Sequence, residues 1–377
     1  MNRPISILHV VGCLNRGGVE TWLAQVMEHI DRTDFCTDFL VDTEKGGAYD
    51  ERIRTLGCRV IVCPNPHRVL EYRERFHALL RELGPYDTVN SRLQLYNGLI
   101  MRFAKECGVR VRIAHSHNDT RQIESRAGMA RQFYAFVASR LIQKYASAGL
   151  GCSEDAMVAL LGERWRADPR WSVLHYGIDL RPFQTPSDRR LLRASLEIGE
   201  KDYVIGHVGR FKPQNNHVFL VQIAKELVRL QPRVRFLLVG DGYLRAQIEQ
   251  ALAREQLAKS FIPLGVRPDV PQLMQSVMDA FLFPSIYEGL GLVLLEAQAA
   301  GLPCVISDTV PREAVVVRGL ITMVGLKETA AHWAGVLDST MKNTNGLGTA
   351  AVDLMSSSHF TIAKSSATLS ELYLTLA

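Results

Sequence analysis

The chain has 377 residues, 47% hydrophobic and 22% charged, with a formal net charge of +5. This length fits two domains of ordinary size with cores that need no covalent staples. The mild positive balance suits an anionic small molecule or an anionic membrane surface and falls short of a nucleic-acid-binding signature; no zinc-finger or RNA-recognition pattern occurs. The seven cysteines are scattered with no C-x-x-C pair, as expected of reduced thiols in a cytoplasmic protein. No run of 18 apolar residues occurs, and "ISILHVVGC" reads as a first buried strand rather than a signal peptide.

In chain order, "ISILHVVG" predicts a strand, "CLNRGG" a turn, and "VETWLAQVMEHI" a helix with Val19, Leu23, Val26, Met27 and Ile30 on one side. "TDFLVD" and "CRVIVCP" predict two more strands, "VLEYRERFHALLREL" an amphipathic helix, and "YDTVNS" and "VRVRIAHSH" further strands. The same alternation restarts at "YVIGHVGRF", followed by the loop "KPQNN" and the helix "HVFLVQIAKELVRL". "VRFLLVG", "SFIPLG" and "AFLFPS" are strands, and "LRAQIEQALAREQ" is a helix. Alternating strands and helices imply parallel βαβ units and doubly wound sheets. The polar, proline-containing stretch "HYGIDLRPFQTPSDRR" separates the halves. The domains expected are residues 1–176, residues 177–356, and a terminal helical segment at 357–377, which follows the polar break "MSSSH".

Open α/β sheets bind ligands outside the carboxyl ends of their strands, so the loops there carry the informative residues. In "SIYEGLGLVLLEAQAAGLP", Glu288 falls in a loop and Glu296 on the following helix, too far apart to grip one small ion as a pair. Between them, the backbone N–H groups of Gly289, Leu290, Gly291 and Leu292 open a helix, which makes a ready anion site. The order is carboxylate, phosphate cradle, carboxylate, and it suits an elongated ligand with vicinal hydroxyls. Two solvent-facing glutamates on a surface helix are the alternative.

The E-x7-E pattern, with Gly289 after the first Glu and Gly301-Leu302-Pro303 after the second, resembles the donor-site signature of retaining GT-B glycosyltransferases. It is most similar to glycosyltransferase family 4, whose members include exopolysaccharide-type and lipid-glycan transferases. "NRGGVE" (Asn15 to Glu20), "GHVGRFKPQNNH" (Gly206 to His217) and "LGVRPDVPQLM" (Leu264 to Met274) resemble further loops of that family, in the expected order. The resemblance implies an α/β GT-B fold, two Rossmann-like doubly wound domains facing across a cleft, with the acceptor side first and the nucleotide-sugar side second. It implies transfer of a sugar from a nucleotide diphosphate sugar to a saccharide or lipid-linked acceptor hydroxyl, with retention. No D-x-D occurs, so no metal or other cofactor is expected, and cations and helix dipoles are left to stabilise the leaving diphosphate.

In the same resemblance Arg210 faces the diphosphate, with Gly17 and Gly18 offering backbone N–H groups from the first domain; Lys212, three residues before Asn215, is the cation placed to swing in beside it. Glu296 holds the ribose, and Glu288 and His115 stand by the transferred sugar as the catalytic pair. The family usually has lysine where this chain has Asn215, and often histidine at Asn90 and Arg92. A weak or inactive sugar-nucleotide-binding protein is therefore one alternative. Another is a metal-dependent hydrolase at His115 and His117, which share a strand face with Asp119. A Rossmann dehydrogenase is disfavoured because no G-x-G-x-x-G follows the first strand. Residues 121–145 hold five Arg/Lys against one Glu, with Phe133, Tyr134 and Phe136 among them. This segment reads either as a surface helix with one core-facing stripe or as a basic amphipathic helix on the inner face of a membrane.

Overall fold

The computed structural model describes residues 3–185, 187–342 and 349–377, without the side chains at 122, 123, 126 and 349. The chain divides into two compact units, Met1–Gly177 with Ile362–Ala377, and Ile178–Thr361. The division falls inside the polar stretch that separates the two runs of alternating elements.

In the first unit seven parallel strands run in chain order: β1 (Ile5–Val11), β2 (Phe35–Val41), β3 (Val60–Val62), β4 (Thr88–Ser91), β5 (Val111–Ser116), β6 (Ala148–Gly151) and β7 (Trp171–Val173). Their spatial order is β3-β2-β1-β4-β5-β6-β7. Strands β6 and β7 lack a sequence signal because "AGLG" and "WSV" are too short to show a period. They hold together by burial: Gly149 and Gly151 leave room for the Trp171 ring and the Met157 side chain, where a Cβ would collide. The terminal helix Ile362–Leu376 belongs to this unit and packs on the helix Gly18–His29. There the Trp22 indole N–H donates to Ser365 Oγ at 3.0 Å, and Asn90 Nδ2 donates to the Tyr373 hydroxyl at 2.8 Å.

The second unit has six parallel strands: β8 (Tyr203–Val208), β9 (Val234–Val239), β10 (Phe261–Gly265), β11 (Ala280–Phe283), β12 (Cys304–Ser307) and β13 (Ile321–Val324). The order is β10-β9-β8-β11-β12-β13, so the winding direction reverses between β8 and β11. The helix His217–Leu230 buries Leu220, Val221, Ile223, Ala224 and Leu227, and packs beside the helix Ala330–Lys342 around Trp333. These apolar faces drive the layer against the sheet, at roughly 25 cal/mol per Å² of apolar surface removed from water.

The basic segment at 121–145 departs from a single continuous helix. It forms Arg121–Arg126 and Met129–Tyr145, broken at Ala127 and Gly128, both of which take extended backbone. The side chain of Arg126, one of its five cations, lies outside the described residues.

Candidate functional site

In the second unit, β8 and β11 are neighbours at the point where the strand order reverses, and the loops that follow them leave their carboxyl ends side by side. The loop after β8 carries Arg210, Lys212, Gln214 and Asn215, and the loop after β11 carries Glu288. Three hydrogen bonds stitch the two loops. Gln214 Nε2 donates to Glu288 Oε2 at 3.1 Å, the Ile286 N–H donates to the Gln214 carbonyl at 2.8 Å, and Asn216 Nδ2 donates to the Pro284 carbonyl at 3.0 Å. Asn216 has φ +55°, a left-handed conformation that asparagine tolerates better than most residues, and it precedes the helix His217–Leu230.

Asn215 is buried, and its Nδ2 donates to the Arg210 carbonyl at 2.6 Å. The carboxamide thus closes the loop on itself. Gly209 permits this, since a Cβ there would stand 2.7 Å from Asn215 Nδ2. Gly240, at φ +132°, lets the neighbouring turn approach Gly209 in the same way.

The loop after β11 runs through Gly289 and Leu290 to Gly291, whose φ of +84° turns the chain into the helix Leu292–Ala299. The N–H groups at this end carry the positive pole of the helix. Glu296 sits on the helix just past its first turn. Burial pushes both carboxyls up to about 7. For Glu288 the Ser285 hydroxyl, the Lys212 ammonium and the Gln214 amide pull the other way, whereas Glu296 has burial alone. Among the described residues no hydrogen-bond donor meets the Glu296 carboxylate. The half-buried carboxylate is open to accept, and vicinal hydroxyls of a ligand would suit it. Gln298, two residues along and fully buried, fixes this helix: it donates to the Leu294 and Ala314 carbonyls and accepts from the Val316 and Val317 N–H groups. Sequence reading missed Gln214 and Gln298. Only the position of Gln214 beside Asn215 hinted at a role.

In the first unit, Gly17 is the N-cap and Gly18 the first residue of the helix Gly18–His29, and the Gly17 carbonyl accepts from the Thr21 N–H at 2.8 Å. His115, at the end of β5, is completely buried, its ring edge-on to Trp22 and Tyr176. Neither ring nitrogen has a hydrogen-bond partner. Burial, aided by the nearby Arg92 charge, keeps the imidazole neutral, well below its ordinary range. Arg92 itself is buried over the face of Trp22 and donates from Nη1 to His9 Nδ1 at 2.7 Å. In the sequence Arg92 stands out only as a departure from the family pattern, and nothing there marks His9. Among the described residues no three His, Cys, Asp or Glu side chains group as metal ligands, at His115 and His117 or elsewhere.

Residues 17–177 match the model of the glycosyl transferase 4-like domain, and residues 188–348 match that of glycosyl transferases group 1. EpsF of Bacillus subtilis (strain 168), a glycosyltransferase by name, is 34% identical over 334 residues, covering 87% of this chain and 85% of its own. An Escherichia coli UDP-Gal:alpha-D-GlcNAc-diphosphoundecaprenol alpha-1,3-galactosyltransferase is 34% identical over 141 residues, 36% of either chain. Among solved structures, Anabaena Alr3699/HepE in complex with UDP and glucose aligns with a TM-score of 0.81 at 22% identity, over 98% of this chain and all of its own. WaaG, a glycosyltransferase involved in lipopolysaccharide biosynthesis, aligns with a TM-score of 0.78 at 16% identity, over 98% and 99% of the two chains.

Proposed function

The chain belongs to the GT-B glycosyltransferases that join a 4-like domain to a group 1 domain, and from that premise we propose a metal-independent, retaining hexosyltransferase acting on a nucleotide diphosphate sugar. The bond between the sugar's anomeric carbon and the β-phosphate oxygen breaks. A new bond forms from the same carbon to an acceptor hydroxyl, which loses its proton, and a nucleoside diphosphate leaves. Negative charge gathers on that leaving group, so its stabilisation is the main electrostatic demand.

One observation carries the donor assignment. Two half-buried glutamates flank a helix N-terminus at the switch point of the second sheet, and one of them, Glu296, meets no protein donor. In this proposal Glu296 accepts from the ribose hydroxyls. The N–H groups from Gly289 to Leu292, with Arg210 and Lys212, face the diphosphate. Glu288, held by Gln214, stands by the sugar. His115 is assigned to the catalytic step and Gly17 and Gly18 to donor binding on the strength of the sequence motifs. The name of the E. coli relative supports a UDP-sugar donor and a lipid-linked saccharide acceptor; polysaccharide or glycolipid synthesis on the cytoplasmic side is the setting proposed with them. The metal-dependent hydrolase is not favoured, because two domain models and a relative spanning most of the chain are transferases.

The test is calorimetric titration of the protein with a panel of nucleotide sugars, UDP-galactose and UDP-glucose first, followed by NMR of the product's anomeric proton. Binding of a UDP-sugar and an unchanged anomeric configuration support the proposal. Inverted product contradicts retention, and silence across the whole panel contradicts the donor site.

A further inference from the structure

The first sheet reverses its winding between β1 and β4, and β2 ends one strand away from that point. Asp42 directly follows β2, and the loops after the neighbouring strands meet around it. Its N–H donates to the Gly12 carbonyl, in the loop after β1, at 3.1 Å. The Cys63 N–H, just past β3, donates to the Val41 carbonyl at 2.8 Å. The Tyr96 hydroxyl, after β4, donates to the Pro66 carbonyl in the loop after β3 at 2.7 Å. All of these residues belong to the first unit.

One oxygen of the Asp42 carboxylate is fixed. Tyr72, buried on the helix Val69–Leu83, donates from its hydroxyl to Oδ1 at 3.0 Å. Among the described residues no other donor reaches the carboxylate, and no Lys, Arg or His stands close enough to favour its charge. Burial pushes the acid up to about 7, and only the Tyr72 hydroxyl pulls it back. Asp38, on the same strand, is answered quite differently: Arg59 pairs with it at 2.6 Å and the Tyr86 hydroxyl donates to it at 2.8 Å. The Asp42 side chain is half-buried, and its Oδ2 stays open to accept. Beside it the half-buried Tyr96 ring stands edge-on to the Tyr72 ring, with centroids 5.8 Å apart, and the Asp42 charge reaches the Tyr96 hydroxyl. An open carboxylate oxygen next to a partly bare aromatic ring suits a sugar, whose hydroxyls donate to the one while its CH face covers the other.

We propose that Asp42, held by Tyr72 and flanked by Tyr96, is a specificity-determining contact of the first unit for the acceptor, and that it selects an uncharged sugar ring whose hydroxyls donate to Oδ2. The inference rests on the transferase reading, which gives the first unit the acceptor. A phosphate or a uronic acid fits poorly, because it would bring a second negative charge to a carboxylate with no cation beside it. A metal ion fits poorly as well, since among the described residues no three His, Cys, Asp or Glu side chains form a ligand group, at Asp42 or elsewhere.

The test is saturation-transfer NMR of the full chain at pH 8, where Asp42 is ionised. The probes are the methyl glycosides of glucose, galactose and N-acetylglucosamine, with methyl glucuronide as the anionic counterpart. An uncharged glycoside should bind, and the glucuronide should bind at least about tenfold more weakly. Asp42→Asn keeps an acceptor for the Tyr72 hydroxyl. It should weaken the uncharged glycoside about tenfold and narrow its lead over the glucuronide. Circular dichroism should not change, and the melting temperature at pH 8 should hold or rise, because a buried ionised acid is removed. A purely structural Asp42 would leave the preference between uncharged and anionic probes untouched. UDP-glucose, titrated calorimetrically, should bind parent and variant alike. UDP-glucose binding with no glycoside bound would overturn the proposal, as would glycosides bound equally by parent and variant or a glucuronide bound as tightly as the uncharged probes. Glycoside binding that Asp42→Asn weakens, in a protein that binds no UDP-glucose, would support this contact and contradict the donor site instead.

Discussion

Gln214 Nε2 lies 3.1 Å from Glu288 Oε2, so the loop after β8 holds the carboxylate of the loop after β11. The carboxylate is half-buried, and this amide is one of the few groups that favour its ionised form. Replacing Gln214 by Met keeps the volume and removes the donor. A hydrogen bond to a charged group is worth about 1.5–3 kcal/mol. Turnover of Gln214→Met should therefore fall about tenfold or more, with donor affinity changed much less, because Glu288 is placed at the sugar and not at the nucleotide. Steady-state kinetics with a UDP-sugar check this, and an equal loss in both constants would assign Glu288 to nucleotide binding.

The two glutamates make a pH prediction. Burial holds both carboxyls at about 7, above the ordinary 4.5. Between those values the folded protein binds more protons than the unfolded chain, so stability falls as pH rises from about 4.5 to about 7 and is lowest above it. Glu288→Gln with Glu296→Gln should flatten that slope in thermal melts and raise the melting temperature at pH 8. A ligand whose hydroxyls donate to Glu296 favours the ionised form. UDP-glucose binding at pH 6.5 should then release protons, seen as a dependence of the calorimetric enthalpy on the buffer's ionisation heat.

Asn215 takes the place of a lysine in the apparent family pattern, and the structure shows what it does instead: its carboxamide bonds the Arg210 carbonyl at 2.6 Å. Asn215→Lys breaks that bond, at about 0.5–1.5 kcal/mol of stability, and adds a cation worth about 1.5–3 kcal/mol to a nearby diphosphate. The expected result is a lower melting temperature with UDP affinity raised about tenfold to a hundredfold. Lys212→Ala should weaken UDP binding in the parent and matter less in Asn215→Lys. Two silent substitutions would mean that the phosphates bind elsewhere.

His115 separates a chemical role from a packing one. Both ring nitrogens lack partners in a fully buried site, so the ring contributes shape at the expense of desolvation. His115→Leu should leave the melting temperature unchanged or raise it, whereas His115→Ala should cost about 2 kcal/mol or more through the cavity. The catalytic assignment predicts that both lose turnover and keep donor affinity. Full turnover in His115→Leu would reduce the residue to packing.

The long, periodic elements were legible in the sequence, because a helix such as His217–Leu230 and a strand such as Tyr203–Val208 each repeat one pattern over several residues. Strands β6 and β7 were not: with four and three residues they have no period, and tertiary burial alone specifies them. The positions of Glu288 and Glu296 followed from motif spacing, but the stitching by Gln214 and the clamp by Gln298 did not, since each joins segments far apart in the chain. The break at Gly128 was missed because the amphipathic composition continues across it.

The donor assignment in the second unit rests most directly on Glu296, and calorimetry of Glu296→Gln with UDP-glucose tests it. The substitution keeps the side chain's shape and removes a charge-assisted acceptor worth about 1.5–3 kcal/mol. The predicted result is a Kd raised about tenfold to a hundredfold in a protein whose circular dichroism is unchanged. A folded Glu296→Gln protein that binds UDP-glucose as tightly as the parent would contradict the ribose assignment and the donor site built on it.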